Sequence, residues 1–448
     1  MTTLTDPPKA SFRLSMLLYD TRYRSTTIQV IALMFFMLGA AWLINNVIVN
    51  LAAAGKTFDY GFLSDAAGYD INQRLIHYNA QSSHLRAAIV GLMNTLLVAV
   101  MGCILATFIG LTVGVLRLSS NWVVSRLAAV YVEMFRNVPV LLWIVLIMGF
   151  LSHSMPAPRD FRGETPSAHL KVFDSIAVTN RGVYLPEPLF SSSLGDLAMF
   201  PDNSTEACQA YNTPNGDAEM MQLAKGCGTF QISLDLIAIM AVLIAGLMTS
   251  KLIAKRAGQI QETTGDRPTV WYLRLGVVVI PTLLVLWALG FYLGYPVLTE
   301  KGIVRFQGGT HLRSSLLALW VALSLYTGAF IAEIVRAGIM AISKGQSEAA
   351  EALGMRPGRT MKLVILPQAM RVIFPPLISQ YLNLTKNSSL AIAVGYMDVT
   401  GTLGGITLNQ TGRELETILL LMLCYLIISL IVSTVMNAYN ERTKLKER

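Results

Sequence analysis

Runs of apolar residues long enough to cross a lipid bilayer recur along this chain, and they limit its fold more than any other feature. A helix needs about 20 largely apolar residues to span the hydrocarbon core. The bilayer interior offers the backbone no outside partners, so only helices or a closed barrel can cross it. Eight such runs are read at residues 26–50, 89–116, 138–151, 232–250, 275–298, 315–335, 372–396 and 416–436. The third is short, and polar residues interrupt the seventh. The alternating ten-residue segments of an outer-membrane barrel are absent. Charged residues make up only 14% of the 448, too few to cover a soluble domain of that size. The expected class is an all-α integral membrane protein with about eight transmembrane helices.

Lys and Arg are distributed unevenly between the connections. Segments 1–25, 117–137, 251–274, 336–371 and 437–448 hold 22 of them in 118 residues, whereas 51–88, 152–231, 299–314 and 397–415 hold 12 in 153. The positive-inside rule then places the first set, and with it both termini, in the cytoplasm. The net charge of +8 follows the membrane surface in this pattern, and nucleic acid is not expected as a partner. The N-terminus is polar and basic through Arg24, and the apolar run after it is too long for a signal-peptide core, so it is read as a retained first helix. The outer loop 152–231 is rich in Pro, Ser, Asn and Asp, a composition that favours turns over a packed core. It either covers something or is an appendage. Cys103 and Cys424 lie in apolar runs; Cys208 and Cys227 share the outer loop, where an oxidising compartment would allow a disulfide between them. No Cys/His spacing suggests a metal site.

The connection after the sixth run carries the functional reading. Ser347 is placed to cap a short helix rich in Ala and Glu, and Gly354 to end it in the left-handed conformation that glycine reaches most cheaply. Pro357 suits the first turn of a second helix, which Pro367 would end or kink. The product is a compact helix–turn–helix whose small side chains allow close approach by another surface. An ordinary amphipathic connector would share that outline. A nucleotide site within the chain is not expected: Gly55-Lys56-Thr57 ends like a phosphate-binding loop, but Asn50 stands where the earlier glycine is required, and no strand precedes it.

The spacing Glu348-Ala349-Ala350, three residues, Gly354, nine residues, then Val364-Ile365-Leu366-Pro367 resembles the coupling-loop signature of ABC importer permeases, with Val364 in place of Ile. Gly91-Leu92-Met93-Asn94-Thr95-Leu96, the stretch from Tyr131 to Pro139 and above all Tyr326 to Gly338 resemble the histidine/glutamine-type amino acid permeases. The enlarged layout is similar to that of the general L-amino acid permease subunits. The resemblance implies a type I importer permease fold with extra helices and a long periplasmic loop, in the bacterial inner membrane. It divides the chain into an N-terminal segment over 1–88, a permease domain 89–437 interrupted by 152–310, a coupling loop 343–367 and a basic tail 438–448. It implies that Glu348, Ala349, Ala350, Gly354, Leu366 and Pro367 serve coupling to an ATPase. The implied partners are a second homologous permease, two ATPase subunits, a periplasmic binding protein, membrane lipids and an L-amino acid. ATP and Mg would be bound by the ATPases, leaving this chain without a cofactor or a catalytic role of its own.

Ionisable groups within spans are costly and therefore candidates for function. Glu333 and Arg336 stand at i,i+3 spacing near the inner end of the sixth run and would either pair or meet solute. Lys386-Asn387-Ser388-Ser389 interrupts the seventh run and would line a solute path or serve helix packing. A permease for another polar solute, or an ion-coupled transporter, would also fit many spans with few charges. The ion-coupled reading leaves the coupling signature unexplained.

Overall fold

A computed structural model describes residues 21–55, 57–76, 78–163, 167–199, 230–266, 268–299 and 304–443. Among them eight helical stretches are long and apolar enough to cross a membrane. The first, α1 (Thr21–Ala53), belongs to a unit of its own that ends at Tyr60, and its apolar side chains are exposed along its length.

The second unit, residues 61–448, holds the other elements. They are α2 (His84–Leu116), α3 (Trp122–Asn137), α4 (Val140–Ser154), α5 (Leu234–Thr264), α6 (Trp271–Ala288), α7 (Ser314–Met340), α8 (Lys344–Ala352), α9 (Leu366–Asn387) and α10 (Glu414–Thr443). Local chemistry sets several of these ends. The Ser83 hydroxyl accepts from the Arg86 N–H at the start of α2, and the Asn121 side chain accepts from Val123 and Val124 at the start of α3. The charged and polar connections fall where the sequence places them, and the eight spans overlap the eight apolar runs.

The core lies between α2, α4, α7 and α9. Val98 and Ala106 of α2, Ile144 of α4, Leu319, Leu323 and Ile331 of α7, and Ile373 and Leu384 of α9 are buried in one cluster. Lipid tails are as apolar as leucine, so burial alone does not drive helices together in a bilayer, and close backbone packing matters more. Glycine provides it here. A side chain at Gly114 of α2 would sit 2.8 Å from the carbonyl of Ala332, and one at Gly328 of α7 would sit 3.0 Å from Ile109. Within the characteristic stretch from Tyr326 to Gly338, Gly328, Ala332 and Val335 lie against α2 and Gly338 lies against α9.

Short strands, which the apolar runs did not foretell, occupy the connections. β1 (Ala177–Thr179) and β2 (Gly182–Leu185) form a hairpin, and β9 (Thr310–Arg313) pairs antiparallel with β2, with Gly182 opposite Arg313. Three further antiparallel pairs join β3 (Glu187–Phe190) to β6 (Phe291–Gly294), β4 (Asp196–Met199) to β5 (Phe230–Ser233), and β7 (Val297–Thr299) to β8 (Arg305–Gln307). Strands β2 and β9 lie more than a hundred residues apart in sequence, so nothing local announces their pairing. The inserted helices α5 and α6 pack chiefly against each other.

Candidate functional site

The segment between α7 and α9 forms the compact turn that its sequence suggests. Gly354 adopts φ +71° just past Leu353, which caps the end of α8; the Gly354 N–H donates to the carbonyl of Glu351 (2.8 Å), and the Met355 N–H donates to that of Ala350 (3.1 Å). These bonds satisfy carbonyls that the end of α8 would otherwise leave open. Pro357 stands in the first turn of the next helical piece. Two local expectations are corrected. The residue before the first turn of α8 is Ser343, and Ser347 lies inside the helix, because helical geometry extends further back through Lys344-Gly345-Gln346. Pro367 neither ends nor kinks a helix into a separate piece. It sits in the first turn of α9, preceded by a wide π turn at Met361–Ile365 in which the Leu366 N–H bonds the carbonyl of Met361. Proline has no N–H to give and its ring needs room at the carbonyl four residues back, and the wide turn answers both needs. Helix therefore runs on from Pro357 to Val394.

The turn is bare on one side and anchored on the other. Glu348, Ala349, Glu351, Ala352 and Gly354 are exposed, and Leu353 at the tip is 81% exposed, whereas Ala350 faces inward at 4%. The Gln368 amide of α9 donates to the Gln346 side chain of α8 (3.3 Å). At the base, a side chain on Gly338 of α7 would collide with Ile373 of α9. Leu353 thus forms an apolar tip flanked by the exposed Glu348 and Glu351.

Glu333 and Arg336 do pair: Arg336 Nη2 donates to Glu333 Oε1 at 2.7 Å. Structure adds two partners that spacing could not reveal. Arg117 at the end of α2 bonds the other carboxylate oxygen, and Arg136 of α3 lies 4.0 Å from it, with its guanidinium over the ring of Phe330. One carboxylate thus ties the ends of three helices. In the second set, Lys386 is exposed and Asn387 and Ser389 are half-buried, while Ser388 is buried and donates to the carbonyl of Thr385 (2.8 Å). No ion pair joins Lys386 to Glu333 among the described residues. Cys208 and Cys227 lie outside the described residues. Cys103 and Cys424 are free.

Sequence reasoning missed a polar knot between the last two spans. Asp398 is fully buried; its carboxylate accepts from the Gly401 N–H (2.9 Å) and the Tyr425 hydroxyl (3.2 Å). Burial raises its pKa to about 6, against the lowering effect of those donors. Asn94 donates to the carbonyls of Gln73 and Met397, and the Val399 N–H donates to the Thr95 hydroxyl. The Asn94-Thr95 pair of the second run therefore pins the segment that carries Asp398. A lone acid directly after an apolar run was the one available signal.

A family model, the binding-protein-dependent transport system inner membrane component, matches residues 236–445. The chain is 54% identical to the glutamate/glutamine/aspartate/asparagine transport system permease protein BztB of Rhodobacter capsulatus, with 100% of each chain covered. The chain belongs to this family. It is 39% identical to the general L-amino acid transport system permease protein AapQ of Rhizobium johnstonii, over 98% of this chain and 96% of that one. A shorter relative, the glutamate/aspartate import permease protein GltK of Escherichia coli O6:H1, is 33% identical over 46% of this chain and 88% of its own. Membership makes the chain an inner membrane protein and a transport subunit, not an enzyme. The matched residues take in α7, the exposed turn after α8, α9 and all of α10.

Proposed function

We propose that the chain is the transmembrane permease subunit of an ATP-driven importer of L-amino acids, acidic and amide-bearing ones among them. The names of its relatives support the solute class. The uncovered turn at Glu348–Gly354, anchored at its back to the packed ends of α7 and α9, carries the mechanism. Glu348, Ala349, Ala350 and Gly354 form the docking element for a cytoplasmic ATPase subunit, and Leu366 and Pro367 lead its movement into α9. When the ATPases bind and hydrolyse ATP with Mg, the turn shifts, and the shift passes through the Gly338–Ile373 contact into the spans. A stiff lever of this kind couples a remote site to a two-state membrane path. Glu333, with Arg117, Arg136 and Arg336, keeps the ends of α2, α3 and α7 moving as a block.

The assembly has a second, related permease, two ATPase subunits and a periplasmic binding protein, in contact with membrane lipids. Residues 89–437 supply the permease domain, 152–310 its insertion, 343–367 the coupling loop, and 1–88 and 438–448 the flanking segments. The excess of Lys and Arg in alternate connections supports cytoplasmic termini. Lys386, exposed, and Asn387 and Ser389, half-buried, meet solute or the partner permease in this reading.

Gly354→Asp tests the reading. Nothing lies within 4 Å of the place where the new side chain would begin, so the chain has room to fold around it. The left-handed backbone adds a strain of roughly 1–2 kcal/mol. Expected is an assembled complex, reconstituted in vesicles, whose ATP-dependent amino acid uptake and uptake-coupled ATP hydrolysis both fall at least about tenfold, the equivalent of about 1.4 kcal/mol. Undiminished uptake would remove the turn from the mechanism.

A further inference from the structure

A cavity of about 620 Å³ lies where the start of α7, the end of α4 and the turn at Gly395 meet the β1–β2–β9 sheet. Ligand pockets commonly span about 300–1,000 Å³. Three arginines line this one: Arg181 in the β1–β2 turn, Arg305 at the start of β8 and Arg313 at the end of β9. The pairing of Gly182 with Arg313 fixes two of them side by side. No Asp or Glu is among the described residues of its lining.

The other polar groups do not neutralise that charge. His311 stacks on Tyr184 with ring centroids 4.0 Å apart, and its Nε2 lies 3.1 Å from the carbonyl of Arg181, which can only accept. Nε2 therefore carries the proton; burial holds the imidazole below its ordinary pKa, against the raising effect of the Arg181 carbonyl and with a contribution from Arg313. Arg313 is partly committed, since its Nε donates to the carbonyl of Asn72 (3.0 Å). Arg181 and Arg305 are exposed. Asn180, on the same lining, has a buried Oδ1 without a hydrogen-bond partner. Buried polar atoms are nearly always paired, so this one marks a partner that the chain alone does not supply. Three guanidinium groups in one concavity repel each other and draw in anions, and their forked donors match a carboxylate.

We infer that this cavity is a carboxylate subsite, in which Arg181 and Arg305 receive the side-chain carboxylate of an acidic amino acid before it enters the spans. The inference rests on the amino acid importer reading and narrows it to a site. A carboxylate could also come from the surface of a binding protein. The concave shape of the cavity and its volume of about 620 Å³ suit a free solute, since a protein surface needs a broad face.

The test uses the whole reconstituted complex with the double variant Arg181→Gln, Arg305→Gln. Both side chains are exposed, and the Arg181 carbonyl that His311 needs is retained. At saturating loaded binding protein, the ratio of glutamate to glutamine uptake should fall about tenfold, the equivalent of about 1.4 kcal/mol. Radiolabelled glutamate binding to the detergent-solubilised complex without binding protein should weaken by a similar factor. An unchanged ratio with unchanged glutamate binding would show solvated arginines and overturn the assignment. Equal losses for glutamate and glutamine, with weaker stimulation of ATP hydrolysis by the binding protein, would make the cavity a docking surface and overturn it as well. Wild-type complex that carries no amino acid at all would instead defeat the importer reading. The glutamate-binding measurement would then decide the cavity by itself.

Discussion

The α2–α7 pair and the α5–α6 pair are both apolar helices in one membrane protein, yet they are built on different rules. In the most apolar window of α7, 61% of residues are buried within the chain; in those of α5 and α6 the figures are 11% and 0%. α7 meets α2 through glycines so close that a single added carbon would strike backbone, and its end is fastened by the Glu333 cluster. α5 and α6 touch mainly each other, with one close approach at Gly246 and one side-chain bond from Arg274 to Ser250 (3.3 Å). Neighbours on several sides hold α7 in place, whereas α5 and α6 are held chiefly by one another. High mean hydropathy is common to both and does not separate them.

The contrast predicts a graded response to substitution. Gly114→Leu should have the largest effect: its first side-chain carbon would lie 2.8 Å from the carbonyl of Ala332, and backbone cannot move aside. No folded complex is expected by size-exclusion chromatography; recovery of an assembled, active complex would mean that α2 and α7 are not locked. Asp398→Asn should come next. Burial raises the folded pKa to about 6 from an ordinary 3.8, so the folded form keeps a proton that the unfolded chain releases. That stabilisation is complete below about pH 4 and is lost as pH rises through 6, a change on the order of 3 kcal/mol. The variant's apparent melting midpoint in detergent should therefore lack the fall that wild type shows between about pH 4 and 6. Parallel curves would place the titration elsewhere. Gly246→Ala should do least. Its added carbon sits 3.0 Å from the Val277 carbonyl and 3.1 Å from Val278 Cα in a pair that can slide apart, for about 1 kcal/mol. Uptake should be unchanged; loss of transport would give α5 and α6 a working role in the path.

Much of this architecture is legible in the chain. The runs of apolar residues mark the spans because a bilayer tests each segment on its own. Gly354 and Pro357 are readable because turn chemistry is local. Ser347 misleads because helix starts depend on a few tenths of a kcal/mol per residue, so a preferred capping residue does not fix where a helix begins. Pro367 misleads because the wide turn at Met361–Ile365 leaves no mark in the sequence. At Glu333 the spacing shows the Arg336 pair and misses Arg117, 216 residues away.

By itself the sequence determined the membrane class, the number of spans, the position of the exposed turn after α8 and the family to which its motifs point. Each is written in residues within about twenty-five positions of one another, where helix rise, turn conformation and transfer into lipid act. The tertiary structure alone decided that α2 and α7 meet through glycine, that Asp398 is buried against Tyr425, and that arginines from two distant connections share one cavity. Those arrangements depend on which distant segments come together, and long-range pairing is settled by packing, which no local pattern records.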